Sequence, residues 1–210
     1  MRGVLYIDSP RSWLRGLVDL KIQPMQLPTI QREQYLLRPW DPDDAPALVK
    51  HANNPRVACN LRDGFPYPYT LPDARKWLKM VGDNRDDIIL AIEVEGEAAG
   101  GIGLHGLKDV YRYNGEIGYW LSEIHWGKGI MSDAVKTMVE HAFVHTRWLR
   151  LFATIYEHNI SSMKVLEKNG FTREAIHKKA VMKGESLLDE HLFALLKERW
   201  ESQRSTDPSP

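Results

Sequence analysis

Short apolar stretches bounded by turn residues predict several β-strands, and one of them, 116–121, shows the strict two-residue alternation of a strand. The first stretch is Tyr35–Trp40. Two more, Ile88–Val94 and Ala99–Leu107, are joined by Glu95-Gly96-Glu97, a turn that favours a hairpin. Further strands are predicted at 114–121, 149–156, 171–182 and 187–196, with a turn at 183–185 between the last two. The pattern therefore predicts a sheet in which hairpins place antiparallel strands side by side.

Apolar residues at helical spacing separate these strands. They recur three and four residues apart from Ile130 to Phe143, and a second predicted helix begins near Pro72. Helices are also expected at 45–53, after an acidic N-cap cluster at Asp41–Asp44, and at 159–168, before the C-cap signal Asn169-Gly170. The element order β-α-α-β-β-β-α-β-α-β-β predicts an α/β fold of the α+β type, with a mixed, mostly antiparallel central sheet flanked by helices.

The two ends of the chain lack this periodic pattern. Residues 1–34 carry scattered charges instead of the uninterrupted apolar core of a secretory signal, so we interpret them as an N-terminal extension, with Met25 as an alternative start. The patterned domain covers residues 35–199. Residues 200–210 are polar and contain proline, which predicts a flexible tail.

The composition narrows the classes of function. The 28 basic and 28 acidic residues balance, so charge gives no reason to expect nucleic acid or an anionic membrane as a partner. The single cysteine, Cys59, excludes an internal disulfide and a thiolate-cluster zinc site. No apolar run is long enough to span a bilayer. We therefore expect a cytoplasmic protein, either a monomer or a homodimer.

A turn with two glycines leads from the strand at 114–121 into the helix that begins near Ile130. Gly127 and Gly129 let the backbone turn tightly and approach a ligand closely. The unpaired N–H groups at the helix start and the helix dipole together form an anion site, most often for phosphate. Lys128 adds a mobile positive charge inside the turn.

Two sequence blocks together resemble the GNAT acetyltransferases. Trp126–Ile130, W-G-K-G-I, is similar to the turn with which that family binds pyrophosphate. Asn159–Phe171, N-I-S-S-M-K-V-L-E-K-N-G-F, is similar to a second family motif located one strand later. The order of elements from about Tyr35 to Leu196 resembles the GNAT fold, and the block 170–196 resembles the RimJ/RimL-type branch. The resemblance therefore implies a GNAT-like fold and acetyl-CoA as co-substrate.

The resemblance also implies where acetyl-CoA binds. Backbone amides of residues 126–132 would hold the pyrophosphate, and the strand edge at 121–123 and Asn159 would hold the pantetheine arm. The implied cofactor-binding residues are Leu121, Ser122, Glu123, Trp126, Gly127, Lys128, Gly129, Ile130, Met131, Ser132 and Asn159. An alternative for Asn159 is a plain helix N-cap. The chain departs from the family pattern at Trp126, usually Arg or Gln, and at Met131, usually a small residue.

Two residues are candidates for catalysis. Glu116, on the strand before the glycine turn, is placed to take a proton from the acceptor amine; alternatively, it only pairs with a neighbour at a sheet edge. Many GNAT enzymes have a tyrosine that protonates the departing thiolate, but Leu166 stands at that position here. The resemblance to the RimJ/RimL-type branch gives this task to Ser162. His105, His125 and His158 are further proton carriers in reach of the predicted cleft.

The acceptor site is expected at the loop that joins the first two predicted helices. Phe65, Tyr67 and Tyr69 give this loop an aromatic surface, and the family resemblance places it beside the acceptor; the alternative is an aromatic core loop. No metal is implied, because direct attack needs only proximity and a polarised carbonyl. His141 and His145 share a helix face at metal-ligand spacing but have no further ligands in sequence, so we interpret them as solvated or packed.

The resulting prediction is an N-acetyltransferase that moves acetyl from acetyl-CoA to a primary amine, either a protein N-terminal amine or a small amine. The alternative is a non-catalytic GNAT fold that senses CoA or binds a protein, an alternative supported by Leu166 and Met131. An α-amine is favoured over lysine because its reference pKa is about 8 against about 10.4, so more of it is neutral.

Overall fold

The structure is a computed structural model and describes residues 28–205. Its strands are β1 (Ile30–Gln31), β2 (Leu36–Pro39), β3 (Ile88–Val94), β4 (Glu97–Gly106), β5 (Asn114–Leu121), β6 (Arg150–Tyr156), β7 (Thr172–Lys183) and β8 (Ser186–Leu196). Its helices are α1 (Ala45–Ala52), α2 (Pro55–Ala58), α3 (Leu71–Asp83), α4 (Ile130–His145), α5 (Ile160–Lys168) and α6 (Lys197–Ser205).

The strands form one eight-stranded sheet in the order β1-β2-β3-β4-β5-β6-β8-β7. All neighbours run antiparallel except β5 and β6, which are parallel and joined by α4 as the crossover helix. The predicted hairpins β3–β4 and β7–β8 are both present. The prediction of a mixed, mostly antiparallel sheet flanked by helices is therefore confirmed.

The parallel pair is short. Strands β5 and β6 are in register only from Asn114, opposite Arg150, to Glu116, opposite Phe152. Beyond Glu116, β5 continues to Leu121 beside β4, and β6 continues to Tyr156 beside β8. The two strands no longer pair with each other there, so a wedge opens between them. Trp148 fills the closed end, where a side chain at Gly115 would come within 3.0 Å of the Trp148 ring.

The two faces of the sheet carry separate apolar cores. Ile117 and Leu121 of β5 pack with the buried face of α4 in the larger core. Trp120, which points to the opposite face, packs against a smaller core under α1 and α3. Alternate residues of β5 therefore reach two different sides of the molecule.

Regular secondary structure extends beyond both ends of the predicted domain, residues 35–199. Strand β1 lies inside the expected extension, and it pairs with β2. Residues 200–205 are helical and not a loose tail, because Trp200 packs on Phe143 of α4 and Arg204 pairs with Glu140 at 2.8 Å. The rest of the predicted extension, Met25 included, and residues 206–210 lie outside the described residues.

Candidate active site

A cavity of about 1040 Å³ occupies the wedge between β5 and β6. Because β5 alternates its side chains between the two faces, the cavity is lined from both sides of the sheet, by α4 and α5 on one side and by α3 on the other. Most of the predicted site residues line it, namely Phe65, Tyr69, Glu116, Leu121, Trp126, Gly127, Gly129, Ile130, Met131, Ser132, Asn159 and Ser162. Tyr67, Ser122, Glu123 and Lys128 do not.

The glycine turn at the start of α4 has the backbone that an anion site needs. Gly127 and Gly129 have φ angles of 75° and 82°, in the left-handed region, and Gly129 is the N-cap of α4. The cap supplies no side-chain acceptor, and the first helical N–H to bond is that of Asp133, to the Gly129 carbonyl at 3.1 Å. Within the described range, the N–H groups of Ile130, Met131 and Ser132 have no protein acceptor. They are donors available to a ligand at the positive end of the helix dipole.

Met131 is one of the two residues at this turn that depart from the family pattern. It is partly buried against the larger core and also lines the cavity. The departure from a small residue at this position therefore leaves the three N–H donors in place.

Asp133 connects the N-terminal segment to the first turn of α4. Its carboxylate accepts two hydrogen bonds from the Arg32 guanidinium, at 2.8 and 2.9 Å, and one from the Tyr35 hydroxyl at 2.8 Å. The hydrogen bond from Arg32 is the main cause of a lowered pKa at Asp133, while burial raises the pKa of Tyr35. Residues just before β2 thus fix the start of the helix that bears the free amides.

The strand edge predicted at 121–123 makes several hydrogen bonds within the protein. The Leu121 carbonyl accepts a hydrogen bond from the Trp126 indole at 2.8 Å, and the Ser122 N–H donates to Ala99 at 2.8 Å. The Ser122 hydroxyl bonds to Nδ1 of His51 at 3.0 Å. Ser122 is therefore occupied in protein contacts and does not offer a pairing edge.

Glu123 and Lys128 also have other partners. The Glu123 carboxylate is held by Arg56 and, at 2.8 Å, by Asn54. Lys128 lines a second cavity, of about 520 Å³, together with residues 31–35 and Asp133. Its Nζ lies 3.4 Å from Nδ1 of His125.

The backbone edge of β5 that is open to the wedge includes Tyr119, two residues before Leu121. Because the Ser122 N–H points to β4, the two-residue period of the strand turns the backbone groups of Tyr119 and Leu121 towards the wedge. Among residues 28–205, no strand pairs with β5 there, since the register with β6 stops at Glu116. An extended amide-containing ligand is able to pair with this edge.

Asn159 is the N-cap of α5 and also lines the cavity. Its side-chain oxygen accepts a hydrogen bond from the Ser162 N–H at 3.2 Å, so the cap interpretation is confirmed. The cap uses only the oxygen. The side-chain NH₂ group has no partner in the part of the chain that the structure describes, and it remains a donor for a ligand.

Ser162 forms a hydroxyl pair with Tyr119. Ser162 is buried at 9% exposure, and its hydroxyl donates to the Tyr119 oxygen at 2.9 Å. The Tyr119 hydroxyl in turn donates to the Ser162 carbonyl at 3.2 Å. Burial raises the pKa of Tyr119, so the phenol keeps its proton at neutral pH. Both residues line the cavity.

Glu116 lies at the closed end of the wedge, on the face opposite Tyr119. Its carboxylate forms an ion pair with Arg62, which comes from the loop after α2. It stands opposite His105 on β4, and the His105 ring is 3.1 Å from Asp87. Pairing with a neighbour, the alternative interpretation, is therefore present, and the carboxylate still lines the cavity.

The aromatic loop contributes two of its three predicted residues. Phe65 and Tyr69 line the cavity with ring centroids 4.9 Å apart, and Phe65 contacts Trp120 edge-on at 5.6 Å. Tyr69 also belongs to the smaller core, so both interpretations of the loop apply to it. Tyr67 is 54% exposed and lies away from the cavity.

The histidines have different environments. His105, His125 and His158 line the cavity, and burial lowers the pKa of His125. His141 and His145 stack on α4 with ring centroids 4.8 Å apart. Among residues 28–205, no group of three or more His, Cys, Asp or Glu side chains could hold a metal ion.

Sequence reasoning missed Tyr119, Arg62 and Trp120. Tyr119 and Trp120 occupy regular positions in a strand and carry the same signal as core residues. Their alternation in β5 could have assigned them to opposite faces, but the wedge that exposes them depends on the distant pairing with β6. Arg62 lies in an irregular loop, and no sequence signal indicates its contact with Glu116.

The comparisons with known proteins agree with this geometry. A family profile described as "Acetyltransferase (GNAT) domain" matches residues 34–172. YnaD of Bacillus subtilis, an N-acetyltransferase described as uncharacterized, is 28% identical over 172 residues, which cover 81% of this chain and 98% of YnaD. The ribosomal-protein-serine acetyltransferase of Escherichia coli is 34% identical over 79 residues, 38% of this chain and 44% of that protein.

The fold is also similar to solved structures. RimL, a ribosomal L7/L12 alpha-N-protein acetyltransferase solved in complex with coenzyme A, superposes with a TM-score of 0.72 at 23% identity, covering 80% of this chain and 98% of RimL. The described part of this chain has no helix that is long and apolar enough to cross a membrane. The predicted resemblance, including that to the RimJ/RimL-type branch, is confirmed, and the chain belongs to the GNAT acetyltransferase family.

Proposed function

We propose that this acetyltransferase moves the acetyl group of acetyl-CoA to the α-amine of a peptide or to a small primary amine. One observation carries the proposal. The wedge between β5 and β6 joins free helix amides and the Tyr119–Ser162 pair on one face to the Glu116 carboxylate on the other. A thioester and an amine entering from opposite faces would meet inside it.

The residues that line the wedge fit acetyl-CoA. The N–H groups of Ile130, Met131 and Ser132 suit its pyrophosphate. The open edge at Tyr119 and the NH₂ group of Asn159 suit the amides of its pantetheine arm. When bound, acetyl-CoA supplies an acetyl group already activated as a thioester.

Glu116 is the residue proposed to deprotonate the acceptor. A primary amine is mostly protonated at pH 7, and only its neutral form attacks a carbonyl. The Glu116 carboxylate lines the cavity on the acceptor face and can take this proton directly or through water. The side chain of Arg62, which pairs with this carboxylate, is exposed and is able to move aside.

The Tyr119–Ser162 pair is proposed to hold the proton that the departing sulfur needs. The Ser162 hydroxyl is a buried donor already aligned on the phenol, and the raised pKa of Tyr119 keeps that phenol protonated. Leu166, at the position of the usual family tyrosine, has no proton to give. The hydroxyl pair replaces that function from the strand side of the wedge.

Within the class of primary amines, a peptide α-amine is preferred over lysine. Its lower reference pKa makes a larger neutral fraction available. The relatives named above as ribosomal-protein acetyltransferases make a ribosomal protein N-terminus one member of this class of acceptors.

The proposal is tested first by titration calorimetry with acetyl-CoA and then by a thiol-release assay. The acceptors are peptides with free N-termini, polyamines and an N-terminally blocked lysine peptide at pH 7.5. We expect acetyl-CoA binding and thiol release with the first two groups. Binding without thiol release from any amine would support the non-catalytic alternative, and acetylation of the blocked lysine peptide alone would contradict the acceptor class.

A further inference from the structure

The sheet face that carries Glu116 has an unusual floor. Antiparallel partners share a face, and the register pairs Gly103 of β4 with Gly118 of β5, while Ile89 of β3 stands opposite Gly103. A side chain added at Gly118 would meet no atom within 4 Å. At Gly103 the space is taken by the His105 ring, whose Nε2 would lie 2.9 Å from an added side chain, so the hollow is at Gly118 and opens to the large cavity that both glycines line.

The two ends of this hollow differ in chemistry. At one end the next pair on the same face is His105 with Glu116, and the Glu116 carboxylate, paired with the exposed Arg62, lines the cavity. At the other end the next pair is Gly101 with Trp120. One end is thus suited to an ammonium group, and the other is aromatic.

The aromatic end is closed by tight packing. A side chain at Gly101 would lie 2.9 Å from the Trp120 indole nitrogen and 3.1 Å from the Trp40 ring, so glycine is needed for Trp120 to lie where it does. Phe65 packs edge-on against Trp120, and Trp77 and Met80 of α3 line the cavity on the side facing the sheet. Apolar side chains therefore border the hollow at Gly118 on the side of Trp120, while His105 borders it on the side of Glu116.

The dimensions match a single large side chain. Glu116 and Trp120 are four residues apart in one strand, or about 13 Å between Cα atoms, and Gly118 lies halfway, about 7 Å from each. An amine held at Glu116 leaves room over Gly118 for an apolar group attached to the neighbouring carbon.

We propose that the acceptor is a primary amine with a bulky apolar group, aromatic or branched aliphatic, next to the amine, and that the hollow at Gly118 binds that group. This inference rests on the proposed acetyltransferase function and specifies its substrate. The chemistry occurs both in peptides that begin with a large apolar residue and in arylalkyl amines. The hollow selects such acceptors by the apolar surface that they bury.

The experiment compares kcat/KM for two matched pairs of acceptors in the thiol-release assay. One pair is a peptide beginning with Phe and the same peptide beginning with Gly; the other is phenethylamine and ethylamine. We expect at least about a tenfold preference for the bulky member, as a filled apolar pocket provides. A preference in the peptide pair alone identifies a peptide terminus as the source, and one in the amine pair alone identifies a small amine.

Substitution of the floor provides the structural control. Gly118→Val fills the open space with a β-branched side chain, a type of residue that β-strands favour. We expect the preference for the Phe peptide over the Gly peptide to fall at least about tenfold. Gly118→Ala should give a smaller fall in the same direction. Gly82→Val, at a glycine outside both cavities with equally open space, should keep the wild-type preference.

The result that overturns the inference differs from failure of the proposed function. Equal kcat/KM for bulky and small acceptors, or preference for the Gly peptide, refutes the pocket while acetyl transfer stands. A parallel loss of acetyl-CoA affinity in Gly118→Val, measured by calorimetry, would assign the hollow to the thioester and also refute the pocket. Absence of acetyl-CoA binding by the wild-type protein would instead refute the proposed function.

Discussion

Gly129 provides a sharp test of the acetyl-CoA site, because strain and ligand binding can be separated there. Its φ of 82° is unfavourable for any residue with a Cβ, and a Cβ at Gly129 would meet no atom within 4 Å. Gly129→Ala therefore costs only backbone strain, about 1–2 kcal/mol. The lower entropy of the unfolded alanine chain offsets about 0.4–1 kcal/mol of this. The net loss is about 1 kcal/mol, which lowers Tm by about 2–4 °C in a domain of this size.

Gly96 is the matched control. It has the same φ of 82° and the same open surroundings, but it lies in the β3–β4 hairpin turn and lines neither cavity. Gly96→Ala should lower Tm by the same amount and leave acetyl-CoA affinity within about twofold of wild type. Gly129→Ala should weaken acetyl-CoA binding at least about tenfold, since one hydrogen bond to a charged phosphate contributes about 1.5–3 kcal/mol.

The assay is titration calorimetry with acetyl-CoA, alongside thermal unfolding of both variants. If both variants melt a few degrees lower and bind acetyl-CoA as the wild type does, the glycine turn does not hold the pyrophosphate. A large Tm loss in Gly129→Ala alone would show that contacts beyond backbone strain depend on this glycine.

Three further outcomes are expected. Tyr119→Phe removes the partner hydroxyl of Ser162 but keeps the ring, so kcat in the thiol-release assay should fall about tenfold or more while the acetyl-CoA Kd stays within a few-fold; an unchanged kcat would exclude the pair from proton donation. Glu116→Gln should lower the rate mainly below pH 8, where the amine most needs a base, and an unchanged pH–rate profile would leave Glu116 a structural role. Burial lowers the pKa of His125, so near pH 6.5 the unfolded chain takes up a proton that the folded protein does not. The contribution of His125 to the free energy of unfolding is therefore fully present above that pH and is lost below it. His125→Gln should show a smaller drop in Tm between pH 7.5 and pH 5.5 than the wild type does.

Local features of the fold were predictable because local sequence determines them. The apolar run at 88–94 and the turn at 95–97 predict the hairpin that β3 and β4 form, and the acidic cluster at 41–44 forms the predicted cap, with Asp41 accepting from the Asp43 N–H at 2.9 Å. The glycine turn was predicted for the same reason. Its conformation depends on residues that sit within it.

The parts that were missed depend on contacts between side chains and strands that the periodic pattern does not encode. Strand β1 has only two residues and is defined by its pairing with β2, and α6 is polar overall but docks through Trp200 on Phe143. At the pantetheine edge predicted for 121–123, the Trp126 indole takes the Leu121 carbonyl, a contact that the pattern did not indicate. No periodicity in the sequence contains that information.

The three paired positions between β5 and β6 make a seam in the middle of the sheet. Strands β1–β5 lie on one side and β6, β8 and β7 on the other, with α4 as the covalent link across it. Because so few hydrogen bonds join the two halves, each half can unfold locally with its own free energy. Amide hydrogen exchange should therefore divide the sheet into two cooperative units at this seam. A ligand that contacts both Tyr119 and α5 bridges the units. At a concentration of 100 times its Kd it would add about 2.7 kcal/mol to their joint stability. Acetyl-CoA would then slow exchange in β6 and β8 as well as in β5, so that the co-substrate serves as a strand the polypeptide itself does not supply.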